Sequence, residues 1–273
     1  MTDKYALIGS PLSHTKSPLI HSRFAEATNQ DLVYTAIEAP AGAFAETVDA
    51  FRREGGRGMN VTAPFKLDAY DYATARSERA RLAGAVNAMR FDGERVEAEN
   101  FDGVGLVNDI QCNLGYALKG RRVLILGAGG AARGAVLPIL DANPALLVVA
   151  NRNVGRAMVL GEQFAGAPNF TTGGYGDLRG ESFDIVLNAT SASLHGELPP
   201  VPADVFTAET LAYELAYGKG LTPFLRLARD AGARRLADGV GMLVEQAAEA
   251  FAWWRGVRPD TKPLIEQLTV PLA

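Results

Sequence analysis

Val123-Leu124-Ile125-Leu126-Gly127-Ala128-Gly129-Gly130-Ala131-Ala132-Arg133 reads as a buried strand that runs through a glycine turn into a helix. Four consecutive apolar residues suit a strand covered on both faces, as in a parallel sheet. The turn has the form G-x-G-x-x-A. Its first Gly permits the tight turn, the second lets a pyrophosphate approach the backbone, and the small third residue seats helix on strand. The helix, expected over Gly134 to Leu140, would offer free N–H groups and a positive dipole end to a phosphate. A bare glycine motif is weak; a strand before it, a helix after it and a second buried strand at Leu146 to Ala150 make it specific. A purely structural glycine turn is the alternative. Gly127, Ala128, Gly129, Gly130 and Ala131 are therefore expected to contact a dinucleotide.

The second strand ends in Asn151-Arg152-Asn153, which places Arg152 20 residues after Ala132. An acidic residue here would bind a ribose 2′-hydroxyl, whereas an arginine suits a 2′-phosphate. Arg156 lies one helical turn further on and can join it. No acidic side chain interrupts Asn151 to Arg156. Asn151, Arg152, Asn153 and Arg156 are thus expected to hold the adenosine end of NADP, with a solvated basic helix start as the ordinary alternative.

Outward from this motif the same alternation continues. Ile185-Val186-Leu187 is another apolar run, and Leu243 to Trp254 reads as a helix with Leu243, Ala247, Phe251 and Trp254 on one face. Pro259 and Pro263 end it and begin a final turn. In the first hundred residues Tyr5 to Ile8, Leu32 to Glu38 and Gly58 to Val61 are strand candidates, and Pro18 to Ala27 and Ala43 to Arg53 carry helical spacing. Val86 to Phe91 and Arg95 to Glu99 flank Asp92-Gly93, a hairpin signal. The pattern predicts an α/β fold of two lobes, 1–103 and 104–240, the second a doubly wound parallel sheet.

Composition narrows the function classes. The 273 residues suit one large domain or two small ones at ~150 residues each. Hydrophobic residues make up 48% of the chain, enough for a proper core. With 27 basic and 31 acidic residues the net charge is -4, which argues against a nucleic-acid binder and against disorder. Cys112 is the one cysteine, so neither an intrachain disulfide nor a cysteine zinc cluster is possible. The apolar run Tyr5 to Ile8 is too short for a signal-peptide core, and no stretch approaches the ~18 apolar residues of a membrane span. A cytoplasmic protein, monomer or homodimer, is expected.

Two further clusters gather polar residues among Gly and Pro. Gly9 to Pro18 sets several hydroxyls before a helix, and Asn60-Val61-Thr62-Ala63-Pro64-Phe65-Lys66 ends a strand and starts another helix. Thr62 as an N-cap with Pro64 in the first turn would explain two of these residues and leave Asn60 and Lys66 unexplained. A lysine in a first helical turn opposes the dipole. A base is one use for it; a flexible surface lysine is the plain alternative.

With these segments in place the sequence resembles the shikimate dehydrogenase family over essentially its whole length. The resemblance rests on Gly9 to Pro18, Asn60 to Lys66, Gly84-Ala85-Val86-Asn87, Asn100-Phe101-Asp102-Gly103, Gly127 to Arg133, Asn151-Arg152, Asn188-Ala189-Thr190-Ser191 and Asp238-Gly239 to Gln246, in the family's order. It implies a substrate lobe, a nicotinamide lobe, a helix over 241–273 that returns to the first lobe, and a substrate in the cleft between them. Lys66 then looks like the catalytic lysine and Asp102 its carboxylate partner and a substrate ligand. Thr15, Ser17, Asn60, Thr62, Asn87, Tyr217 and Gln246 fall where the family hydrogen-bonds its polyol carboxylate, and Leu215 and Gly239 where it meets the cofactor. Alone, Gln246 would read as plain helix surface. His14, His21 and His195 show no metal or triad spacing, no metal is expected, and no chemistry is expected of them or of Cys112.

Several positions depart from the family. Thr15 stands for a serine and adds a methyl; Phe101 stands for a threonine and would crowd the acid if its ring faced the cleft. Glu214 replaces an aspartate, and Asn153 a frequent threonine. The implied activity is interconversion of shikimate and 3-dehydroshikimate with NADP. The same chemistry on quinate or an amino-shikimate is the alternative within enzymes, and a non-catalytic dinucleotide-binding regulator the alternative outside them, against which the intact Lys66 and Asp102 argue.

Overall fold

Two six-stranded sheets organise the chain in this computed structural model, which describes residues 2–272. The first lobe runs β1 (Asp3–Gly9), α1 (Ser17–Thr28), β2 (Leu32–Glu38), α2 (Phe44–Arg53), β3 (Gly56–Val61) and α3 (Lys66–Tyr72). It continues with β4 (Ala75–Arg76), α4 (Glu78–Ala83), β5 (Ala88–Asp92) and β6 (Arg95–Glu99). Its strand order is β2-β1-β3-β5-β6-β4. The first three strands are parallel, and β5 runs antiparallel to β3 and β6. Helical spacing explains the cover on one face: Phe44, Val48 and Phe51 of α2 drop into the core around Ile8, Met59 and Val61. The hairpin between β5 and β6 pairs Asp92 with Arg95, so its two turn residues are Gly93 and Glu94, one position later than the sequence suggests. Gly93 takes a φ of 54°, a left-handed conformation that glycine adopts without a Cβ penalty.

The second lobe comprises β7 (Arg122–Leu126), α6 (Gly130–Asp141), β8 (Leu146–Ala150), α7 (Val154–Gln163), β9 (Phe170–Gly173) and β10 (Ile185–Asn188). β11 (Leu211–Glu214), α8 (Pro223–Asp230) and β12 (Arg235–Asp238) complete it. All its strands are parallel, in the order β12-β11-β10-β7-β8-β9. This is the doubly wound order, with the reversal between β7 and β10 where a dinucleotide binds in such folds. The apolar runs seen in the sequence serve both faces: Val123 and Ile125 join one core, Leu124 and Leu126 the other. α6 begins at Gly130, four residues before the expected start, because the helix takes up the glycine turn itself.

α5 (Asp102–Asn108) and a π-helical turn at Asp109–Asn113 connect the two sheets. α5 packs without side chains at two points. A Cβ on Gly103 would lie 2.1 Å from the Gly134 carbonyl oxygen of α6. One on Gly105 would lie 2.6 Å from the backbone nitrogen of Gln246, in α9 (Val240–Arg255). α9 in turn buries Val244, Ala247, Ala248 and Phe251 against Ile20 and Phe24 of α1. After it, Pro263 opens a further helix, α10 (Lys262–Leu268), where the sequence suggested only a turn. A proline in the first turn lacks only an N–H that would go unused there. Among the described residues no helix is long and apolar enough to cross a membrane.

Candidate active site

A cavity of about 360 Å³ lies between the lobes. Thr15, Ser17, Asn60, Thr62, Lys66 and Asn87 line it from the first lobe, Asp102 from the start of α5, Tyr217 from the loop after β11, and Gln246 from α9. Asn87 and Gln246, 159 positions apart, thus meet in one hydrogen-bonded group. The Lys66 ammonium Nζ donates to Asp102 Oδ2 at 2.5 Å. Asn87 Nδ2 donates to Asp102 Oδ1 at 2.7 Å and to Gln246 Oε1 at 3.2 Å. Asn87 is itself fixed, since its Oδ1 accepts from the backbone N–H of Phe101 at 2.8 Å. The Lys66 side chain retains 33% of its exposure and that of Asp102 15%, so the pair is reachable from the cavity while its far side is held by protein.

The local sequence accounts for the placement of Lys66. It is the first residue of α3, whose N-cap is Phe65 with no side-chain cap. Thr62 is therefore not the helix cap that the sequence allows; it lines the cavity instead. The carboxylate of Asp102, the first residue of α5, meets the ammonium. The Phe101 ring points away. It is 4% exposed and packs on Ala88, Ala250 and Trp253, so it does not crowd the acid. Thr15 Oγ1 lies 3.4 Å from Ser17 Oγ. Ser13, His14 and Met242 also line the cavity and were not selected from sequence. For Ser13 and His14 the available signal was their place in the polar run Gly9 to Pro18.

Behind this wall two buried aromatic groups support Asn60. Tyr34 donates its hydroxyl to Asn60 Oδ1 at 2.7 Å, and Asn60 Nδ2 donates to the Asn87 carbonyl at 3.2 Å. The His21 ring stacks on Tyr34, with centroids 4.1 Å apart and planes 4° from parallel. Burial pushes the His21 imidazole down to about 3, so it is neutral.

At the other lobe, Gly127 has a φ of 106°, and a Cβ there would approach the Ala189 carbonyl oxygen to 3.2 Å. Gly129 and Gly130 are different: a Cβ on either would meet nothing within 4 Å. The space above them is open, and the first-turn N–H groups of α6 have no intrahelical partners. Such a cradle at a helix N-terminus fits a pyrophosphate. Ala128 is buried beside it and Ala131 exposed. A second cavity, about 640 Å³, is lined by Asn151, Arg152, Asn153 and Arg156 and by Tyr175, Thr190, Ser191, His195 and Glu197 opposite. Asn153 caps α7, its side chain accepting from the Arg156 N–H at 3.3 Å. Neither Arg152 nor Arg156 is paired with a carboxylate among the described residues. Two unpaired guanidinium groups around a cavity suit a phosphate. The facing residues carry no local signal because they come from the turn after β9 and the loop after β10, although Thr190 and Ser191 lie in a segment the resemblance already uses. Leu215 and Gly239 line the first cavity beside Met242, on the side nearer the second lobe.

Glu214 touches neither cavity. It is fully buried and accepts from Asn188 Nδ2 at 2.9 Å, from the Thr222 hydroxyl at 3.1 Å and from the Ser193 hydroxyl. Burial raises its carboxyl above the usual range, against the pull of these donors. The longer side chain that replaces an aspartate thus ties together the loops following β10 and β11.

Known proteins match this chain along both lobes. Residues 7–89 match the shikimate dehydrogenase substrate binding domain, residues 110–195 shikimate / quinate 5-dehydrogenase, and residues 239–269 the shikimate 5'-dehydrogenase C-terminal domain. The shikimate dehydrogenase (NADP(+)) of Nitrosospira multiformis is 55% identical over 268 residues, 98% of each chain. The crystal structure of an Ael1 enzyme from Pseudomonas putida is 62% identical with a TM-score of 0.97, over 100% of both chains. The shikimate 5-dehydrogenase of Thermus thermophilus, solved with NADP(H) and shikimate, is 30% identical with a TM-score of 0.86, over 97% of this chain and 98% of that one. On these matches, spread over both lobes and the returning helix, the chain belongs to the shikimate / quinate 5-dehydrogenase family.

Proposed function

We propose that the chain interconverts shikimate and 3-dehydroshikimate with NADP, using Lys66 as the proton-transferring group and Asp102 as its partner. The observation that carries this reading is the Lys66–Asp102 contact of 2.5 Å at the wall of an interlobe cavity. Oxidising a secondary alcohol removes a hydride from carbon and a proton from oxygen. The dinucleotide, when bound, supplies the hydride acceptor. Lys66 Nζ, as the neutral amine, takes the hydroxyl proton and becomes the ammonium, which returns the proton in the reverse direction. Asp102, fixed by Asn87, holds that nitrogen in place and accepts from a neighbouring substrate hydroxyl. Thr15, Ser17, Asn60, Thr62, Asn87, Tyr217 and Gln246 offer donors to the carboxylate and the remaining hydroxyls. A site so lined rejects substrates that leave its polar groups unmatched.

The cofactor is assigned to the second lobe: Gly127 to Ala131 at the pyrophosphate, Asn151 to Asn153 and Arg156 at the adenosine ribose phosphate, and Leu215 and Gly239 toward the nicotinamide. We divide the chain accordingly into a substrate domain, 1–103 with 241–273 packed back on it, and a cofactor domain, 104–240. A cytoplasmic location fits a chain whose one cysteine, Cys112, is free and exposed, and a monomer or homodimer is the assembly proposed for it. Quinate carries an extra hydroxyl on the carboxylate-bearing carbon, and the Thr15 methyl beside Ser17 reduces the room for it, so shikimate is the preferred substrate. Initial rates followed at the nicotinamide absorbance band, with shikimate and quinate against NADP and NAD, test the reading. Lys66→Ala is expected to lower kcat by at least ~100-fold with little change in KM. Near-native turnover in that variant would remove lysine from the chemistry, and an equal or better kcat/KM with quinate would overturn the substrate.

A further inference from the structure

An asparagine amide has a donor end and an acceptor end of similar size, so its neighbours decide which way it faces. At Asn60 two neighbours agree. The Asn87 carbonyl can only accept, and Asn60 Nδ2 lies 3.2 Å from its oxygen. The Tyr34 hydroxyl lies 2.7 Å from Oδ1, and it is a proton donor, because burial pushes the phenol well above its usual range. Turning the amide over would set two oxygens against each other at Asn87 and leave the phenol proton facing an NH2 group. Such a mispaired buried contact costs more than the hydrogen bond it replaces.

We propose that Tyr34, which does not line the cavity, is a positioning residue for the polyol site: it holds the Asn60 amide with its oxygen turned inward and its nitrogen available to the ligand. One hydrogen of Nδ2 is used on Asn87, and the other is left for an oxygen of the substrate, which matches a carboxylate or a hydroxyl acceptor. His21 completes the device as a flat neutral wall. It stacks on the phenol at 4.1 Å and is itself braced edge-on by Phe24. Its Nε2 is buried and makes no hydrogen bond of ordinary geometry, although the ring lies close enough to the Asn60 side chain to offset part of the effect of burial on the imidazole. Tyr34 on β2 and His21 on α1 thereby couple the first-lobe core to the polarity of the site.

The inference rests on reading the cavity as the shikimate site, and the test separates the two. Tyr34→Phe keeps the ring and its stacking and removes only the hydroxyl. Its KM for shikimate should rise about three- to tenfold, with kcat within about twofold and KM for NADP unchanged. A merely structural role would lower the melting temperature and leave this KM pattern untouched. Asn60→Ala and the double variant supply the second arm: if Tyr34 acts through Asn60, adding Tyr34→Phe to Asn60→Ala changes KM for shikimate no further. Multiplying effects in the double variant, or an unchanged KM in Tyr34→Phe, would overturn the inference. A wild-type protein that does not oxidise shikimate at all would instead overturn the functional reading beneath it.

Discussion

Asp102→Asn is the sharpest probe of the interlobe group, because both oxygens of the carboxylate are occupied. Oδ2 accepts from Lys66 Nζ at 2.5 Å and Oδ1 from Asn87 Nδ2 at 2.7 Å. An asparagine keeps one oxygen and turns an NH2 group toward the other donor. If that group faces Lys66, a charge-assisted bond of about 1.5–3 kcal/mol is lost; if it faces Asn87, two amide nitrogens confront each other at about 1–3 kcal/mol. Lys66 is one-third exposed, so water recovers part of the first loss, and the amide should settle with its nitrogen toward the lysine. The expected net effect, about 1–2 kcal/mol, is on the order of 5- to 30-fold in kcat/KM for shikimate. Both kcat and KM should suffer, since the carboxylate touches the lysine and is placed to touch the substrate. Steady-state rates at the nicotinamide band give both parameters, and a thermal melt checks that the variant is folded. A folded Asn variant within about threefold of wild type in kcat/KM would show that the carboxylate does not hold the lysine for catalysis.

Arg152→Ala should raise KM for NADP about 10- to 150-fold, the worth of one charge-assisted contact, and leave the weak NAD reaction nearly untouched; equal losses with both cofactors would refute the phosphate assignment. His21 titrates at about 3 in the folded protein against an ordinary 6.5, so its contribution to stability is complete above pH 6.5 and is lost as the pH falls from there toward 3. At pH 5 that loss is about 2 kcal/mol, and denaturant midpoints at pH 7 and 5 should show His21→Phe losing correspondingly less than wild type between them. Gly105→Ala puts a methyl 2.6 Å from the Gln246 backbone nitrogen, so the variant should melt lower by about 1–3 kcal/mol of stability and show a raised KM for shikimate, readable by calorimetry and initial rates.

Where continuous apolar runs and a glycine turn carry the signal, the fold was legible before any coordinates. Leu146 to Ala150 and Leu32 to Glu38 are strands with the expected bounds, and β7 extends the expected run by one residue. The short elements β9, β11 and β12 gave little to read, since four residues hold too few alternations to outweigh their flanks. Pro263 was misread because a proline ends one helix and begins another with equal ease. For the site, Lys66 and Thr62 stood out locally as polar residues at a strand end, but nothing local distinguishes Gln246 from helix surface. Only the fold, which brings α9 back over the first lobe, sets it 3.2 Å from Asn87. Glu197 shows the converse. No acid lies within Asn151 to Arg156, yet the loop after β10 brings this carboxylate to the same cavity.

The crossing of α5 with α6 and α9 bears on mechanics. Glycine at positions 103 and 105 lets the three backbones touch, so at these points the crossing has no side chains that could be repacked to absorb a shift of one helix on another. Asp102, the first residue of α5, leaves from this same crossing. The carboxylate that meets Lys66 is thus seated where backbone rests on backbone, the stiffest footing the fold offers it.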